Sequence, residues 1–337
     1  MEEDKKKIVA KISKEDKDNA IHKAFNCTDV YLDLSDITKS YTYPSQKDLD
    51  MSDPLVKMVY KGFYKTVKDV IKKECHKKDH MIRYAGRLFR CYEIPTINGG
   101  VVAARQMPPE FITLEKSGMN KRYIEELMNP RLRSGGLIII CGAPGNGKTT
   151  TCAATIDKRL KDFGGLCITV EDPVEISLQG KRGKGTCLQI QVENQHEFPE
   201  AVRGIMRAYP TGTDSIMLIG ETRDAETASE ALRSSIDGRL VITTMHANSP
   251  LEALQRFANI ASKIMDGKDV NNMLSSSFRI AIHQELKMGK LIAKILVDEI
   301  DVQGAIREGK FQGLKTQLQT QDAKVKNKQP FEYMKRN

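Results

Sequence analysis

The amino-acid sequence predicts an α/β unit with a parallel sheet, preceded by a small α+β unit. Two observations lead to this prediction. Short apolar runs typical of buried strands alternate with helical patterns between residues 136 and 244, which indicates a parallel sheet covered by helices on both faces. Up to about residue 110 the pattern differs, with one long helix followed by a hairpin. The 337 residues are enough to give each unit its own hydrophobic core.

The small unit is predicted over residues 1–110. Apolar residues recur at helical spacing within Leu55–Ile71, which indicates a helix. Two strand-like runs, Leu88–Ile94 and Val101–Arg105, flank a loop with an Asn-Gly turn signal, which indicates a hairpin. Residues 111–133 are then expected to form a linker with some helical pattern.

The α/β unit is predicted over residues 134–318, ahead of a polar, Lys-rich tail over 319–337. Its expected strands are Gly136–Cys141, Leu166–Glu171, Ile216–Gly220, Leu240–Thr244 and Leu291–Val297. Its expected helices include Thr149–Phe163, Pro199–Tyr209, Ala225–Ile236 and a last helix over Asp301–Leu318. Two or three further helices are expected between residue 250 and the late strand.

The positive charge of the chain is unevenly distributed. There are 53 Lys and Arg against 44 Asp and Glu, a net charge of +9. Residues 1–80 hold 17 Lys, no Arg and 15 acidic residues, whereas residues 310–337 hold 7 basic and 2 acidic residues. Just over half of the excess therefore lies at the C-terminal end. We interpret that stretch either as a solubilising surface or as a contact for an acidic protein domain or anionic lipid.

Composition excludes several classes of protein. No apolar run approaches the ~20 residues that span a bilayer, and no hydrophobic segment follows the N-terminus, so we expect neither a transmembrane helix nor a signal peptide. Seven scattered cysteines without a C-x-x-C pair argue against zinc and disulfides and favour a reducing cytoplasm. The lack of Trp argues against a nucleic-acid motor that stacks bases on aromatic rings.

The motif that carries the chemistry is Gly142–Thr149, which fits the P-loop pattern G-x-x-x-x-G-K-[ST] between an apolar strand and a helix. Its glycines let backbone N–H groups converge on an anion, and the helix N-terminus adds its dipole. Lys148 would place a charge on the β- and γ-phosphates, and the Thr149 hydroxyl would ligate Mg²⁺. The residues predicted to bind ATP are Gly142, Ala143, Pro144, Gly145, Asn146, Gly147, Lys148, Thr149 and Thr150.

Polar side chains follow the other predicted strands, at the edge where ligands bind to such sheets. Glu221 comes after the third strand and suits a role in holding Mg²⁺ or its waters. Either Glu171 or Glu175, after the second strand, could activate the attacking water. His246 follows the fourth strand and could donate to a γ-phosphate, although a lone histidine is more often structural.

Four ordered motifs resemble the bacterial type II/type IV secretion ATPase family. The boxes that match its Walker A, Asp, Walker B and His boxes are Gly142–Thr149, Glu171–Glu175, Ile219–Asp224 and Thr243–Ser249. Ala305–Lys310 is similar to a motif of the twitching-motility retraction ATPases. The nearest branch is that of the retraction ATPases and their relatives in Dot/Icm-type secretion and IncI-type conjugation systems.

The resemblance implies a RecA-like P-loop ATPase domain preceded in the sequence by a small PAS-like N-terminal domain. It also implies assembly as a homo-hexamer. It implies a cytoplasmic enzyme, peripheral at the inner membrane, that hydrolyses ATP with Mg²⁺ to power a type IV secretion, conjugation or type IV pilus machine. Its partners would be inner-membrane components of that machine, with no direct nucleic-acid binding. The alternatives are a RecA-like nucleic-acid motor and a structural ring subunit that binds ATP without hydrolysing it.

The resemblance also implies roles for individual residues. It makes Glu175 the first choice for the general base and Glu171 the second, and it brings Arg90 and Arg105, on the two arms of the hairpin, to the phosphates. One departure concerns the His box, which opens with Gly-Arg-Leu at Arg239 where the family has Gly-His-Leu. The role of that missing histidine is therefore expected either to fall to Arg239 or to be lost.

Overall fold

The computed structural model describes residues 13–75, 77–107, 112–192 and 196–333. The chain divides into two compact units, which we call the N-terminal unit (Met1–Glu110) and the C-terminal unit (Phe111–Asn337). No helix in these described ranges is long and apolar enough to cross a membrane.

The N-terminal unit is an α+β structure with a six-stranded antiparallel sheet in the order β3-β2-β1-β6-β5-β4. Its strands are β1 Asp29–Asp33, β2 Tyr41–Tyr43, β3 Lys47–Asp48, β4 Asp79–Tyr84, β5 Arg87–Thr96 and β6 Gly99–Gln106. Its helices are α1 Lys14–Ala24 and α2 Pro54–Lys73. One face of the sheet packs on these helices around buried aromatic rings, among them Phe25, Phe63 and Phe89.

The predicted helix and hairpin of the N-terminal unit are confirmed. The helix α2 begins at a carboxylate cap, because Asp53 Oδ1 accepts hydrogen bonds from the backbone N–H groups of Leu55 and Val56 at 2.9 and 3.3 Å. Pro54 occupies the first helical turn, where a missing N–H costs nothing. The short helix and strands before Asp53 were not predicted, because their apolar residues are too few to show a period.

The C-terminal unit contains an eight-stranded sheet in the order β14-β13-β7-β12-β11-β8-β10-β9, parallel except for the two outermost strands. Its strands are β7 Gly136–Cys141, β8 Gly165–Glu171, β9 Gly180–Arg182, β10 Gly185–Gln191, β11 Ser215–Ile219, β12 Leu240–Met245, β13 Phe278–Lys287 and β14 Lys290–Val297. Its helices are α3 Lys121–Leu127, α4 Lys148–Phe163, α5 Glu197–Ile205, α6 Ala225–Ile236, α7 Pro250–Ala261, α8 Gly267–Ser277, α9 Ile300–Arg307 and α10 Leu314–Lys326. Apolar cores lie on both faces of this sheet.

Apart from the last helix, the predicted strands and helices of the α/β unit are confirmed to within a few residues, but strands β9, β10 and β13 were missed. The strand β13 pairs in parallel with the P-loop strand β7. Its sequence mixes buried apolar residues with Arg279, His283 and Gln284, so neither a continuous apolar run nor a clean alternation marks it.

The prediction of one continuous last helix over Asp301–Leu318 is wrong, because the structure has two helices there. Helix α9 ends at Arg307, Gly309 adopts a positive φ of 69°, and α10 starts at Leu314. The prediction of a polar tail from residue 319 is corrected as well, because α10 continues to Lys326. The side chain of Gln321 is buried and forms two hydrogen bonds with the backbone of Val297, at 2.8 and 3.1 Å. Residues 334–337 of that predicted tail lie outside the described ranges.

The expected linker, 111–133, contributes to the core of the C-terminal unit. Leu114, Tyr123 and Leu127 are buried and pack in one cluster with residues of α4, such as Cys152 and Ile156. This segment therefore supports the helix that starts at the P-loop.

Candidate nucleotide-binding site

The P-loop joins a fully buried strand, β7, to the helix α4. Three of its glycines, Gly142, Gly145 and Gly147, have positive φ angles of 151°, 77° and 75°, a conformation that favours glycine. A Cβ at Gly142 would lie 2.3 Å from the carbonyl oxygen of Gln284 on β13. The neighbouring strand thus requires glycine at the start of the loop.

Lys148 is the first residue of α4 and is 9% exposed. Its Nζ donates hydrogen bonds to the carbonyl oxygens of Gly142 and Ala143 at 3.0 and 3.1 Å, so the side chain folds back over the loop. Burial lowers the pKa of Lys148, and the nearby carboxylates of Glu221 and Glu175 oppose that shift. The ammonium group is held beside the backbone amides where an anion would bind.

A cavity of about 430 Å³ opens beside the P-loop. It lies at the carboxyl ends of the parallel strands, the edge where ligands bind to such sheets. Of the nine residues predicted to bind ATP, the six that line it are Pro144, Gly145, Gly147, Lys148, Thr149 and Thr150. The predicted acids and histidine that line it are Glu171, Glu175, Glu221 and His246.

The three other predicted P-loop residues shape the loop. The carbonyl oxygens of Gly142 and Ala143 hold Lys148. Asn146 faces β13, where its Oδ1 accepts a hydrogen bond from the N–H of Leu286 at 3.2 Å and its carbonyl oxygen accepts one from Gln284 Nε2 at 2.7 Å. The strand that the sequence did not reveal therefore fixes the P-loop from one side.

Glu221 and His246 form one cluster at the end of the sheet. Glu221 Oε1 lies 3.3 Å from His246 Nε2, and its Oε2 accepts a hydrogen bond from Arg223 at 2.5 Å. His246 Nδ1 lies 3.3 Å from the carbonyl oxygen of Gly142. Through these two contacts the His246 ring lies between Glu221 and the P-loop.

Arg223, which lines the cavity, was not predicted as a site residue. Its guanidinium group is about half exposed, and the hydrogen bond to Glu221 raises its pKa. The sequence could have indicated Arg223 as a site residue, because it lies only two residues after Glu221, the acid of the Walker B box. The ion pair neutralises Glu221 and places a second cation in the cavity that Lys148 lines.

Glu171 and Glu175 have different surroundings. Glu171 is 4% exposed, and burial raises its pKa to about 7 although Thr169 and Gln189 donate hydrogen bonds to its Oε1 at 2.6 and 3.0 Å. Glu175 is exposed at the cavity. A carboxyl group with a pKa near 7 can take up a proton at neutral pH.

Gln189, on β10, is a second residue that sequence analysis missed. Its Nε2 donates to Glu171 Oε1 at 3.0 Å and to the carbonyl oxygen of Ile176 at 2.9 Å. Its Oε1 accepts from the backbone N–H groups of Leu178 and Gln179 at 2.6 and 2.8 Å. One amide thus ties the buried acid to the segment that follows Glu171 in the sequence. Nothing in the polar sequence of β10 singled it out.

Arg90 and Arg105 belong to the N-terminal unit. They lie directly opposite each other on β5 and β6, and each forms an ion pair within that unit. Arg90 donates to both oxygens of Asp79 at 3.0 and 2.9 Å, and Arg105 donates to Asp29 at 2.8 Å. The structure therefore places the two predicted arginines side by side on one sheet.

Arg239 stands at the amino end of β12, whereas the cavity lies beyond the carboxyl end of that strand. Its guanidinium group packs over the ring of Tyr209, 5.3 Å from the centroid, and its carbonyl oxygen accepts a hydrogen bond from Gly136. Arg239 thus packs at the opposite end of the sheet from the cavity, which it does not line.

A bound Mg²⁺ is compatible with these residues. Mg²⁺ in nucleotide sites takes one or two protein oxygens and completes its shell with phosphates and waters. Thr149 and Glu221, the two predicted ligands, both line the cavity. Glu221 would exchange one of its present partners, Arg223 or His246, for the metal or its waters.

Residues 81–321 match the family described as type II/IV secretion system protein. The type IV pilus retraction ATPase PilT of Pseudomonas aeruginosa is 30% identical over 243 residues, which cover 69% of this chain and 66% of that protein. A crystal structure of the pilus retraction motor PilT with bound ADP has a TM-score of 0.71 at 24% identity, over 89% of this chain and 88% of that one. The structure of the ATPase DotB of Legionella pneumophila has a TM-score of 0.66 at 18% identity, over 92% and 87%.

These comparisons confirm the predicted fold class, a RecA-like P-loop unit preceded in the sequence by a small α+β unit. They also confirm the predicted resemblance to secretion ATPases. The curated relatives are matched over only part of their own length. The match spans 66% of PilT and 37% of the type II secretion system protein HxcR of the same bacterium.

Proposed function

The chain belongs to the type II/type IV secretion system protein family. On this premise we propose that it is an ATPase, dependent on Mg²⁺, that powers a type IV secretion, conjugation or type IV pilus machine. The observation that carries the proposal is the convergence of a P-loop lysine, the three predicted carboxylates and a histidine in one cavity of about 430 Å³.

Each side chain has a role in this proposal. The P-loop amides and Lys148 bind the phosphates, and Thr149 and Glu221 hold Mg²⁺ or its waters. Mg²⁺ would neutralise charge on the β- and γ-phosphate oxygens. Glu171 takes the proton of the attacking water, because a base works best with a pKa near the operating pH. Glu175, the first choice from the resemblance, is then the nearest alternative base.

The proposal extends to assembly and location. Family membership supports a homo-hexamer in the cytoplasm, peripheral at the inner membrane and in contact with membrane components of its machine. Arg90 and Arg105 would supply positive charge to the phosphates, which stabilises the charge that develops on a transferred phosphoryl group. In their present positions both arginines are neutralised by aspartates.

The test is ATP hydrolysis by the purified full chain. Lys148→Ala should reduce the Mg²⁺-dependent rate to background, because the variant loses the charge on the β- and γ-phosphates. Lys181→Ala, at an exposed lysine of β9, is the matched control and should retain the wild-type rate. Activity that survives Lys148→Ala would contradict the proposed site.

The same assay separates the alternative functions. A structural ring subunit would bind ATP but show no turnover in the wild-type chain. A nucleic-acid motor would hydrolyse ATP many times faster with single-stranded DNA. Hydrolysis that is insensitive to DNA supports the proposed function over both alternatives.

A further inference from the structure

The helix α2 of the N-terminal unit carries a row of lysines on its exposed side. We call Lys57, Lys61, Lys65, Lys68 and Lys72 the lysine stripe. All five are exposed. Their spacing of 4, 4, 3 and 4 residues places them within an arc of about 80° and along about 22 Å of the helix, at 100° and 1.5 Å per residue. The opposite side of α2 is buried in the core of the unit.

The charges of the lysine stripe are largely uncompensated. Among the residues that the structure describes, Lys57, Lys61, Lys65 and Lys72 have no carboxylate within ion-pair distance. Lys68 also lacks one, although its Nζ donates to a backbone carbonyl and lies over a tyrosine ring. The single acid of α2, Asp69, lies about 40° outside the arc.

Apart from Asp69, the described acids of the N-terminal unit lie outside α2. Several of them cap turns: Asp33 accepts from the N–H of Ser35 at 2.8 Å, and Asp36 accepts from the N–H of Thr38 at 2.9 Å. Residues 1–80 have a nearly balanced composition, yet five of their 17 lysines lie together on one face of α2. The composition alone did not reveal this separation.

The C-terminal stretch, which holds most of the net charge, is different. Lys324 lies between Glu299 and Glu332, at 2.7 and 3.5 Å, and Lys310 pairs with Glu308 at 2.7 Å. Two of its seven basic residues are thus neutralised within the chain. Among the described residues, three unpaired lysines remain in this stretch, against five on the lysine stripe.

We propose that the lysine stripe is the surface by which this chain binds a bilayer rich in anionic phospholipid. Lysine ammonium groups are compact, strongly hydrated charges that suit a diffuse negative surface, whereas arginine suits bidentate recognition of single carboxylates or phosphates. The first 80 residues contain 17 Lys and no Arg. A row of charges on a convex helix can lie along a flat surface, and each lysine there adds to the attraction.

The composition of this face favours a membrane over a nucleic acid. Single-stranded nucleic acids are held by a basic groove with aromatic rings that stack on the bases. The lysine stripe is a row on a helix, and Met58 is the one large apolar residue of α2 that is itself exposed, 41%. Contact through the stripe would therefore be electrostatic and reversible by salt, without deep insertion.

The experiment is sedimentation of the full chain with vesicles of phosphatidylcholine containing about 30% phosphatidylglycerol, without nucleotide. Wild-type protein should bind at low ionic strength, and binding should fall steeply towards about 0.5 M salt. A variant with Lys57, Lys61, Lys65 and Lys72 changed to Gln should lose about tenfold or more in partition coefficient. Its ATPase rate without lipid should be unchanged, which verifies the fold.

The matched control changes four basic residues of the C-terminal stretch to Gln: Lys310, Lys315, Lys326 and Lys328. This control alters the net charge by the same amount and should leave most of the vesicle binding intact. Three outcomes overturn the proposal: no binding of the wild-type chain to anionic vesicles, equal loss in the two variants, or loss in the control alone. Because binding is measured without ATP, its failure is separate from a failure of the ATPase assignment.

Discussion

The two units of this protein use positive charge in opposite ways. In the C-terminal unit a single lysine, Lys148, is 9% exposed and held by two carbonyl oxygens next to a cavity. In the N-terminal unit the lysines of α2 are exposed in a row along a helix. The first arrangement suits one small anion at a fixed position, and the second suits an extended negative surface.

The difference teaches that net charge says little about where anions bind. Both units are built from ordinary elements, but the parallel sheet brings strand ends and a helix N-terminus to one edge, where a few groups act together. An antiparallel sheet with helices on one face offers no such edge, so its charges act from the surface. The first of three predictions tests whether the N-terminal unit contributes to hydrolysis, and the other two concern the site of the C-terminal unit.

The largest effect is expected where the N-terminal unit would act on the chemistry of the C-terminal unit. Arg105→Ala should lower kcat by about 1000-fold if its guanidinium group stabilises the transferred phosphoryl group. Arg83→Ala, at an exposed arginine of β4, should leave kcat within about twofold of wild type and serves as the control. A normal kcat for Arg105→Ala would mean that Arg105 makes no contribution to hydrolysis.

Much of the C-terminal unit could be predicted from the sequence, because its chemistry depends on local order. The continuous apolar run of β7, the glycines after it and the helix of α4 follow one another directly. Carboxylates such as Glu221 then appear at the ends of strands with the same apolar pattern. Knowing where each parallel strand ends was therefore enough to predict that the polar side chains that follow the strands lie at one edge of the sheet.

The rest depends on contacts between distant segments. Gln284 on β13 lies 138 residues after Asn146, whose carbonyl oxygen it binds, and the mixed apolar and polar sequence of β13 gives no periodic signal. Gln189 is likewise defined by which backbone groups its amide reaches. The spacing of the lysines on α2 can be read from the sequence. Only the structure shows that acids of the same unit, such as Asp33 and Asp36, accept hydrogen bonds in turns and do not pair with these lysines.

A smaller effect is expected at the buried acid. Glu171→Gln keeps an oxygen that can accept from Thr169 and Gln189 but removes the proton acceptor, so kcat should fall by about 100-fold while ATP binding remains. Since the pKa of Glu171 is raised to about 7, the base is ionised above that pH and is lost as the pH falls through it. The wild-type rate should therefore decline below about pH 7.

The control for this prediction is Glu175→Gln. It should retain the decline below about pH 7, because Glu171 is still present, whereas Glu171→Gln should lose the pH dependence along with the rate. Glu171→Gln should also be at least as stable as wild type at pH 8, because glutamine removes a buried charge that the fold holds at a cost. A full loss in Glu175→Gln with little change in Glu171→Gln would assign the base to Glu175.

The smallest effect is expected at the amide that positions this acid. Gln189→Leu removes the hydrogen bond to Glu171 and the three bonds to the backbone of residues 176–179, so kcat should fall about tenfold with little change in KM. Gln191→Leu is the matched control, because the Gln191 side chain accepts a hydrogen bond from the neighbouring Val174 N–H at 3.3 Å but has no hydrogen bond to Glu171.

The pH–rate profile distinguishes positioning of Glu171 from simple loss of structure. Gln189→Leu should move the acidic limb of that profile to higher pH, since the Glu171 carboxylate loses a hydrogen-bond donor. An unchanged limb, or an equal loss in Gln191→Leu, would show that Gln189 only holds the loop.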